Sequence, residues 1–224
     1  MPLNISKIGK VLKEINRLNI TEFNAALPVK IEVKKEINPI RYLIQLGKKE
    51  VETKSSFPLM VGKKYFAQIK ESGSKLQISN LREIPPLLEK LNKIELKEKL
   101  IHFSKDTTLK HLANASSKEE FIFFTNILLA LEHKIHHLII NDKKKAVLQY
   151  KYHKNRVKFY AVFNHLGDLE GEITTTSLTV HSPYDATLRL IKEYSNELDL
   201  EVYLLKKEPK AMFIFSENLL NLKA

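Results

Sequence analysis

The stretch Phe163 to Ser182, FNHLGDLEGEITTTSLTVHS, decides the fold of the second half of the chain. It predicts a strand that ends near Leu166–Gly167, a second strand over Leu169 to Ile173, a turn through the threonines 174–176, and a third strand. Apolar residues that alternate with polar ones along such strands are typical of an antiparallel sheet with one buried face.

Elements of the same kind lie on both sides of this stretch. Residues 146–152 and 157–163 alternate as two more strands, and Ser182–Pro183 is expected to begin a helix that runs to Leu198. Leu200 to Leu204 follows as a last strand. The order β-β-β-β-α-β predicts an α+β domain over residues 141–224, with an antiparallel sheet covered by helices on one face.

The first half has a different pattern. Five short strands with turn signals between them are predicted over residues 28–82. Such a set favours a small, OB-like β-barrel over residues 25–84, because closing a sheet removes its exposed edges. The complete fold class is therefore α+β, with a small N-terminal barrel and a C-terminal sheet packed by helices.

Two helical regions complete the organisation. Residues 1–24 carry apolar residues at steps of three and four, which predicts an amphipathic helix, either docked on its own protein or available to a partner or target. After Pro85–Pro86, residues 85–140 are predicted as a helical connector. Ser117 followed by Glu120 is a capping-box pattern, and Thr107 or Thr108 is a candidate cap for the helix before it.

The predicted strands, the Leu166–Gly167 pair and the final helix and strand resemble the C-terminal domain of the flagellar hook-length control protein family. Residues 43–79, with LIQLG, VETKS, PLMVG and YFAQIKESGSKLQIS, are similar to a barrel-like module that precedes that domain in some family members. The long Pro/Gln/Ser-rich segment of that family is missing here. The resemblance thus implies a gate-binding or regulatory relative that has no length-measuring segment.

The resemblance also implies a function. It points to a non-enzymatic regulator that binds a component of the flagellar type III export apparatus and influences its switch from hook to filament substrates. We expect the C-terminal domain to dock on that protein through an exposed edge strand or through the loop of His165, Leu166, Gly167 and Asp168. Docking would bias the partner between two states.

Positive charge is concentrated in the first half of the chain. Residues 1–112 hold 22 Lys and Arg against 12 Asp and Glu, whereas residues 113–224 hold 15 against 14. This asymmetry indicates either an acidic partner or a lysine-rich solvated surface. Aromatic residues at 42, 57, 65 and 66 lie between the barrel's basic positions, so the alternative function is nucleic-acid binding by the barrel. The expected basic surface is Lys34, Lys35, Arg41, Lys48, Lys49, Lys63 and Lys64.

No catalytic set of residues is evident, and we expect neither an enzyme nor a cofactor. His133, His136 and His137 have a spacing that a helix could use to bind a metal, but the HExxH pattern is missing and structural roles are favoured. Asp168, Glu170 and Glu172 alternate along one strand and are expected to face water.

The remaining composition bears on location. The chain has no cysteine, and no apolar run approaches the roughly 20 residues that a membrane helix requires. The first residues lack the apolar core of a secretory signal. We expect a cytoplasmic protein, with export through the flagellar apparatus as a second option.

Overall fold

A computed structural model describes residues 27–72, 75–142 and 145–216. Strands and helices are both present in these ranges, and the predicted α+β class is confirmed. The predicted amphipathic helix over residues 1–24 lies outside the described residues.

The first five strands form one small unit. They are β1 (Val29–Asn38), β2 (Arg41–Leu46), β3 (Lys49–Lys54), β4 (Lys64–Ser72) and β5 (Lys75–Glu83). Their pairing order, β1-β2-β3-β5-β4, returns to β1, and we call this ring of strands the barrel. Its links are antiparallel except the one between β3 and β5, which meet in parallel through a single pair of described residues, Lys54 with Gln77.

Alternation along these strands fills the interior of the barrel. Ile31 and Val33 of β1 and Tyr42 and Ile44 of β2 are almost completely buried, as is Ala67 of β4. Glu32 and Leu43, which lie between these buried residues, are only partly buried. This is the period-two pattern that the sequence predicts for a curled sheet with a dry inside.

A seven-stranded sheet forms the rest of the chain's core. Its strands are β6 (Leu100–His102), β7 (His136–Ile140), β8 (Ala146–His153), β9 (Arg156–Phe163), β10 (Gly167–Ile173), β11 (Ser177–Ser182) and β12 (Glu201–Lys206). They lie in the order β12-β11-β10-β9-β8-β7-β6. The sheet is mixed, since β12 runs parallel to β11, and this corrects the expected wholly antiparallel arrangement. A helix connects these two strands, and such a crossover brings the chain back in the same direction.

Helices pack on both faces of this sheet. The helices are α1 (Pro86–Lys93), α2 (Lys105–Ala113), α3 (Lys118–Glu132) and α4 (Asp185–Glu193). Residues of α4 join one face of the sheet together with Phe159 and Leu169, while α1 and α3 join the other with Tyr160 and Val162. The expectation of helices on one face is wrong, because the second half of β9, from Phe159 to Phe163, is buried on both sides and leaves neither face to water.

The region predicted as a helical connector over residues 85–140 contains two strands of the sheet. β6 and β7 pair with each other, and β7 pairs with β8 across the predicted boundary at residue 140. Short apolar runs such as His136–Ile140 do not distinguish a buried strand from a helix by periodicity alone. The sheet therefore begins at Leu100, and the predicted boundary falls between two paired strands.

Local capping sets where these helices begin. Ser117 accepts a hydrogen bond from the Glu120 amide at 3.1 Å, as predicted, but the Glu120 carboxylate bonds Ser116 instead of completing the box. The cap of α2 is Ser104, which forms a reciprocal capping box with Thr107. The last helix begins at Asp185, two residues after Pro183, because the Ser182 hydroxyl first accepts the Tyr184 amide at 3.2 Å.

Gly171 lets β10 pass between a backbone and an aromatic ring. A Cβ at this position would lie 2.0 Å from the Thr179 carbonyl oxygen and 2.7 Å from Cζ of Phe159. Phe159 is its registered neighbour on β9, so the ring covers the glycine. No rotamer change can relieve the contact with the Thr179 backbone.

We predict that Gly171→Ala lowers the free energy of unfolding by about 3 kcal/mol, because an added methyl group forces β10 and β11 apart. Gly47→Ala is the control. Gly47 has φ of +59° with nothing within 4 Å of the added Cβ, so its substitution costs about 1 kcal/mol of backbone strain. Urea unfolding followed by circular dichroism measures both variants, and equal losses would contradict this account of Gly171.

Candidate functional site

The loop predicted to bind a partner lies inside the protein. Leu166 and Asp168 are 0% and 2% exposed, Gly167 is buried, and His165 is half-buried with its ring 6.2 Å from that of Phe163. The Leu166 carbonyl accepts a hydrogen bond from the Thr187 hydroxyl at 3.0 Å. The expectation that these four residues form an exposed docking loop is therefore wrong.

The loop instead joins the barrel to the sheet. Arg82 of β5 donates from Nε and Nη2 to the two carboxylate oxygens of Asp168 in β10, at 3.2 and 2.9 Å. Its Nη2 also donates to the Pro209 carbonyl at 3.1 Å, and Nη1 lies 3.2 Å from the Glu208 carboxylate. One guanidinium thus connects β5, β10 and the segment that follows β12.

Further contacts surround this ion pair. The Lys30 ammonium of β1 donates to the Asn164 side chain, and Phe66 of β4 is fully buried in the cluster that contains Tyr160 and Val162 of β9. Burial raises the pKa of the Asp168 carboxyl, and the charge and hydrogen bonds of Arg82 oppose that rise. Since Arg82 makes two short bonds to it, we infer that Asp168 is ionised at neutral pH.

The three strand carboxylates do not share one solvated face. Glu172 pairs with Arg156 at 3.2 Å and is partly exposed. Glu170 is half-buried and accepts from the Lys210 amide at 2.7 Å and from Lys207 at 3.3 Å. Asp168 is in the interior, so the prediction that all three face water is wrong for Asp168. The alternation correctly places the three carboxylates on one face of β10, but the barrel and the segment after β12 cover part of that face.

The three histidines of the predicted metal motif do not converge. His133 is the exposed C-cap of α3, whereas His136 and His137 lie in β7 and point to opposite faces of the sheet. His136 stacks on Tyr150 at 5.2 Å between ring centroids, and buried His137 lies 3.2 Å from the Gln149 side-chain amide. Across the described ranges, no group of three or more His, Cys, Asp or Glu side chains is placed to hold a metal.

The predicted basic surface is exposed, but part of it is neutralised. Lys34, Arg41 and Lys63 form ion pairs with Glu32, Glu52 and Glu83 at 2.7, 3.3 and 2.6 Å. Lys64 lies opposite Glu32 on the neighbouring strand, and the pKa of Glu32 is lowered by the hydrogen bond from Lys34 and by the charges of Lys34 and Lys64. The members that form no ion pair among the described side chains are Lys35, Lys48 and Lys49. Tyr42, Tyr65 and Phe66 belong to the core, so of the four interleaved aromatic residues only Phe57 is open to a ligand.

An apolar surface lies at one end of the barrel. Two segments form it: the end of β1 with its turn into β2, and the loop between β3 and β4. We call it the barrel-end patch, and it consists of Ile37, Ile40, Phe57, Met60 and Val61, each 46–65% exposed. The sequence signal for it is PLMVG after Phe57, which places three large apolar residues in the loop between β3 and β4.

Hydrogen bonds hold the two segments of the barrel-end patch together. The buried Tyr42 hydroxyl donates to the Pro39 carbonyl at 3.1 Å and accepts from the Leu59 amide at 3.3 Å. Ser55 donates its amide to the Ile40 carbonyl at 3.0 Å and its hydroxyl to the Phe57 carbonyl at 2.7 Å. The exposed apolar side chains are therefore carried on a fixed backbone.

A cavity beside α4 offers little chemistry. It has a volume of about 250 Å³ and is lined by Leu27, Ala186, Arg189, Leu190 and Glu193. Its two charged side chains are of opposite sign and have no nucleophile beside them.

In the part of the chain that the structure describes, no helix has both the length and the apolar character needed to cross a bilayer.

Searches of protein-family models, curated proteins and solved structures return no match to this chain.

We predict that Asp168→Asn lowers the free energy of unfolding by about 3 kcal/mol, because it removes the buried carboxylate partner of the Arg82 guanidinium and leaves only the exposed carboxylate of Glu208. Glu172→Gln is the matched control in the same strand. Its ion pair with Arg156 is largely exposed, so the loss stays below about 1 kcal/mol. Chemical denaturation of both variants at pH 7 provides the measurement, and a loss at Asp168 no larger than at Glu172 would refute the role assigned to Arg82.

Acid stability depends on His137. Burial lowers the pKa of His137 to about 3, well below the value near 6.5 of an unfolded chain. Between these values the unfolded state binds a proton that the folded state does not, so stability is full above pH 6.5 and falls on acidification. From pH 7 to pH 5 this group alone removes about 2 kcal/mol.

The variant His137→Gln should therefore lose less stability than the wild type over that interval. His133→Gln is the control, since His133 is exposed. Urea midpoints at pH 7, 6 and 5 measure the difference, and parallel curves for wild type and His137→Gln would show that the imidazole does not control acid unfolding.

Proposed function

We propose that this protein is a non-enzymatic regulator that binds another protein through the barrel-end patch. The observation that carries the proposal is the concentration of five exposed, large apolar side chains on two adjoining segments. Contiguous apolar surface of this kind on a folded domain marks an interaction site, whereas scattered exposed apolar residues need no explanation.

The fixed backbone of the patch supports protein binding. Leu59 is buried in the barrel while its neighbours Met60 and Val61 are exposed. Lys63 donates its amide to the Met60 carbonyl at 3.1 Å, and Gly62 to the Val33 carbonyl at 2.8 Å. A surface that is already ordered loses little conformational entropy on binding, so more of the contact energy becomes affinity.

The charges around the patch indicate the chemistry of the partner. Residues 28–83 contain 12 Lys and Arg against 6 Asp and Glu. Lys35, two residues before Ile37, is exposed and forms no ion pair among the described side chains, and Lys64 is exposed opposite Glu32. We infer a partner surface with an apolar centre and acidic residues around it, because charge complementarity at the rim of an interface increases the association rate and the specificity.

The resemblance to hook-length control proteins suggests the identity of the partner. It favours a component of the flagellar type III export apparatus, with the present chain acting in the cytoplasm on the choice of export substrates. In this proposal the barrel makes the contact, in place of the buried loop at His165–Asp168. Arg82 and Asp168 hold the barrel and the sheet in one arrangement, so a partner bound at the patch meets both in a fixed orientation.

Nucleic-acid binding by the barrel, the alternative from the sequence, has less support. Recognition of single strands depends on stacking of bases on exposed aromatic rings. Of the four aromatic residues between the barrel's basic positions, Tyr42, Tyr65 and Phe66 are at most 9% exposed. Phe57 is therefore the one ring of the four that is available for stacking. Three of the seven basic positions are also held in ion pairs.

We predict that Phe57→Asp weakens binding to the purified cytoplasmic domain of a flagellar export-gate protein at least tenfold, measured by calorimetric titration. The new carboxylate places charge in the apolar centre and opposes an acidic partner. Ile214→Asp is the matched control, because Ile214 is 76% exposed outside the patch, and it should bind as the wild type does.

Two results would contradict the proposal. The first is an equal loss of affinity in Phe57→Asp and Ile214→Asp, and the second is no binding of any export-gate domain by the wild type. A parallel titration with a single-stranded oligonucleotide at two salt concentrations identifies the other function, since phosphate contacts make affinity fall steeply with salt.

A further inference from the structure

Among the described residues, the sheet ends at β12, whose outer edge is unpaired. β12 is six residues long, and its one partner in this part of the chain is β11. The opposite edge strand, β6, has three residues, and such short edges offer little to a new strand. β12 is thus the longer of the two edges at which another strand could be added.

Backbone geometry shows which groups of β12 face outward. The Glu201 amide donates to the Thr176 carbonyl at 2.9 Å and the Lys207 amide to the Ser182 carbonyl at 3.1 Å, both toward β11. Because a strand alternates with a period of two, residues 203 and 205 also face β11. The amide and carbonyl groups of Val202, Leu204 and Lys206 therefore point away from the sheet.

The chain on either side of β12 leaves this edge uncovered. After Lys207 it crosses over the sheet, where the Lys210 amide bonds Glu170 at 2.7 Å and the Met212 amide bonds Gln149 at 3.0 Å. Before β12, Leu198 turns into the core beside α4. None of the described segments pairs with the outer edge of β12.

Two of the side chains beside this edge are apolar although they are exposed to water. Tyr203 and Leu205 are 54% and 52% exposed and lie on one face of the strand. Glu201 and Lys207 stand on the same face at the two ends of this short row, where Glu201 accepts from the Tyr203 hydroxyl at 2.9 Å and the exposed Lys207 lies 3.3 Å from Glu170. An exposed edge with apolar side chains is a ready template for strand pairing, which proteins normally prevent with charge, proline or a bulge.

We propose that β12 pairs with β12 of a second copy of this chain, antiparallel and centred on Leu204. The second copy is the occupant because the row Glu201, Tyr203, Leu205, Lys207 is complementary to itself when reversed. With Leu204 opposite its own copy, Tyr203 faces Leu205 of the other chain, and Glu201 faces Lys207. Opposite charges and aromatic–aliphatic pairs in these positions both stabilise an antiparallel pair.

The hydrogen bonds agree with this register. Residues that face outward must oppose residues that also face outward, and a centre at Leu204 sets Val202 against Lys206 of the second chain. Each of these outward pairs exchanges two bonds, which gives up to six across the interface. The two seven-stranded sheets then become one continuous sheet related by a two-fold axis, the commonest symmetry of homodimers.

The first test is the oligomeric state of the full chain. Sedimentation equilibrium over a hundredfold dilution should show a monomer–dimer equilibrium for the wild type. Lys206→Pro removes an outward amide and leaves the bonds to β11 in place, and proline is tolerated at such edge positions. It should raise the dissociation constant at least tenfold, whereas Lys206→Ala, which keeps the amide, should not.

The second test examines the register. The chain contains no cysteine, so Tyr203→Cys and Leu205→Cys each introduce a single thiol. In the proposed pairing these two positions lie about 4.5 Å apart between chains, within disulfide range. Each position is about 8 Å from its own copy. An equimolar mixture should therefore cross-link under mild oxidation, and either variant alone should not.

Circular dichroism and a urea midpoint for each variant confirm that the fold is retained. Glu201→Lys should weaken the dimer through repulsion from Lys207 of the second chain. A wild type that stays monomeric at all concentrations would overturn the proposal. So would a dimer insensitive to Lys206→Pro, or cross-linking of Tyr203→Cys with itself, because each requires a different interface.

Discussion

The bidentate bond between Arg82 and Asp168 is the interaction on which the arrangement of this protein depends. It joins the last strand of the barrel to the middle of the sheet, and the same guanidinium binds the carbonyl of Pro209 in the segment after β12. An unpaired carboxylate as buried as Asp168 would be costly. The barrel must therefore sit where it supplies the guanidinium, and the position of the barrel-end patch relative to the sheet follows from this requirement.

Packing around this bond explains why the barrel and the sheet do not behave as separate units. Phe66 belongs to a strand of the barrel, yet its ring is buried among residues of the sheet and of α1 and α3. Gly167, with φ of +77°, lies so close to the Tyr184 ring that a Cβ there would come within 2.6 Å of it. These contacts occupy the face of the sheet opposite α4, which is why the sheet has no solvated side along the second half of β9.

Much of the architecture could be predicted from local pattern, and the errors have a common physical cause. Alternation located the strands of the barrel and most of those after residue 145, and the glycine at 167 marked a turn correctly. The pattern of charge at Asp168, Glu170 and Glu172 looked like a solvated face because a sequence window does not contain Arg82, which is 86 residues away from Asp168. The spacing of the histidines at 133, 136 and 137 fits a single helix. In the structure a left-handed turn at Lys134, with φ of +59°, ends the helix before His136, and the sequence has no glycine there to mark that turn. The barrel-end patch was missed for a similar reason, since its two segments meet through contacts between distant residues, such as those of the Tyr42 hydroxyl and of the Ser55 amide.

The single residue pair between β3 and β5 has a consequence for motion in the barrel. Every other link of the ring is a ladder of several pairs, so local opening should begin at Lys54 and Gln77, with little loss of structure elsewhere. An opened ring is a curved sheet with two new edges, and it can widen without unfolding. The barrel can therefore open between β3 and β5. This opening lies at the end of β3, from which the chain enters the loop of Phe57 and Met60.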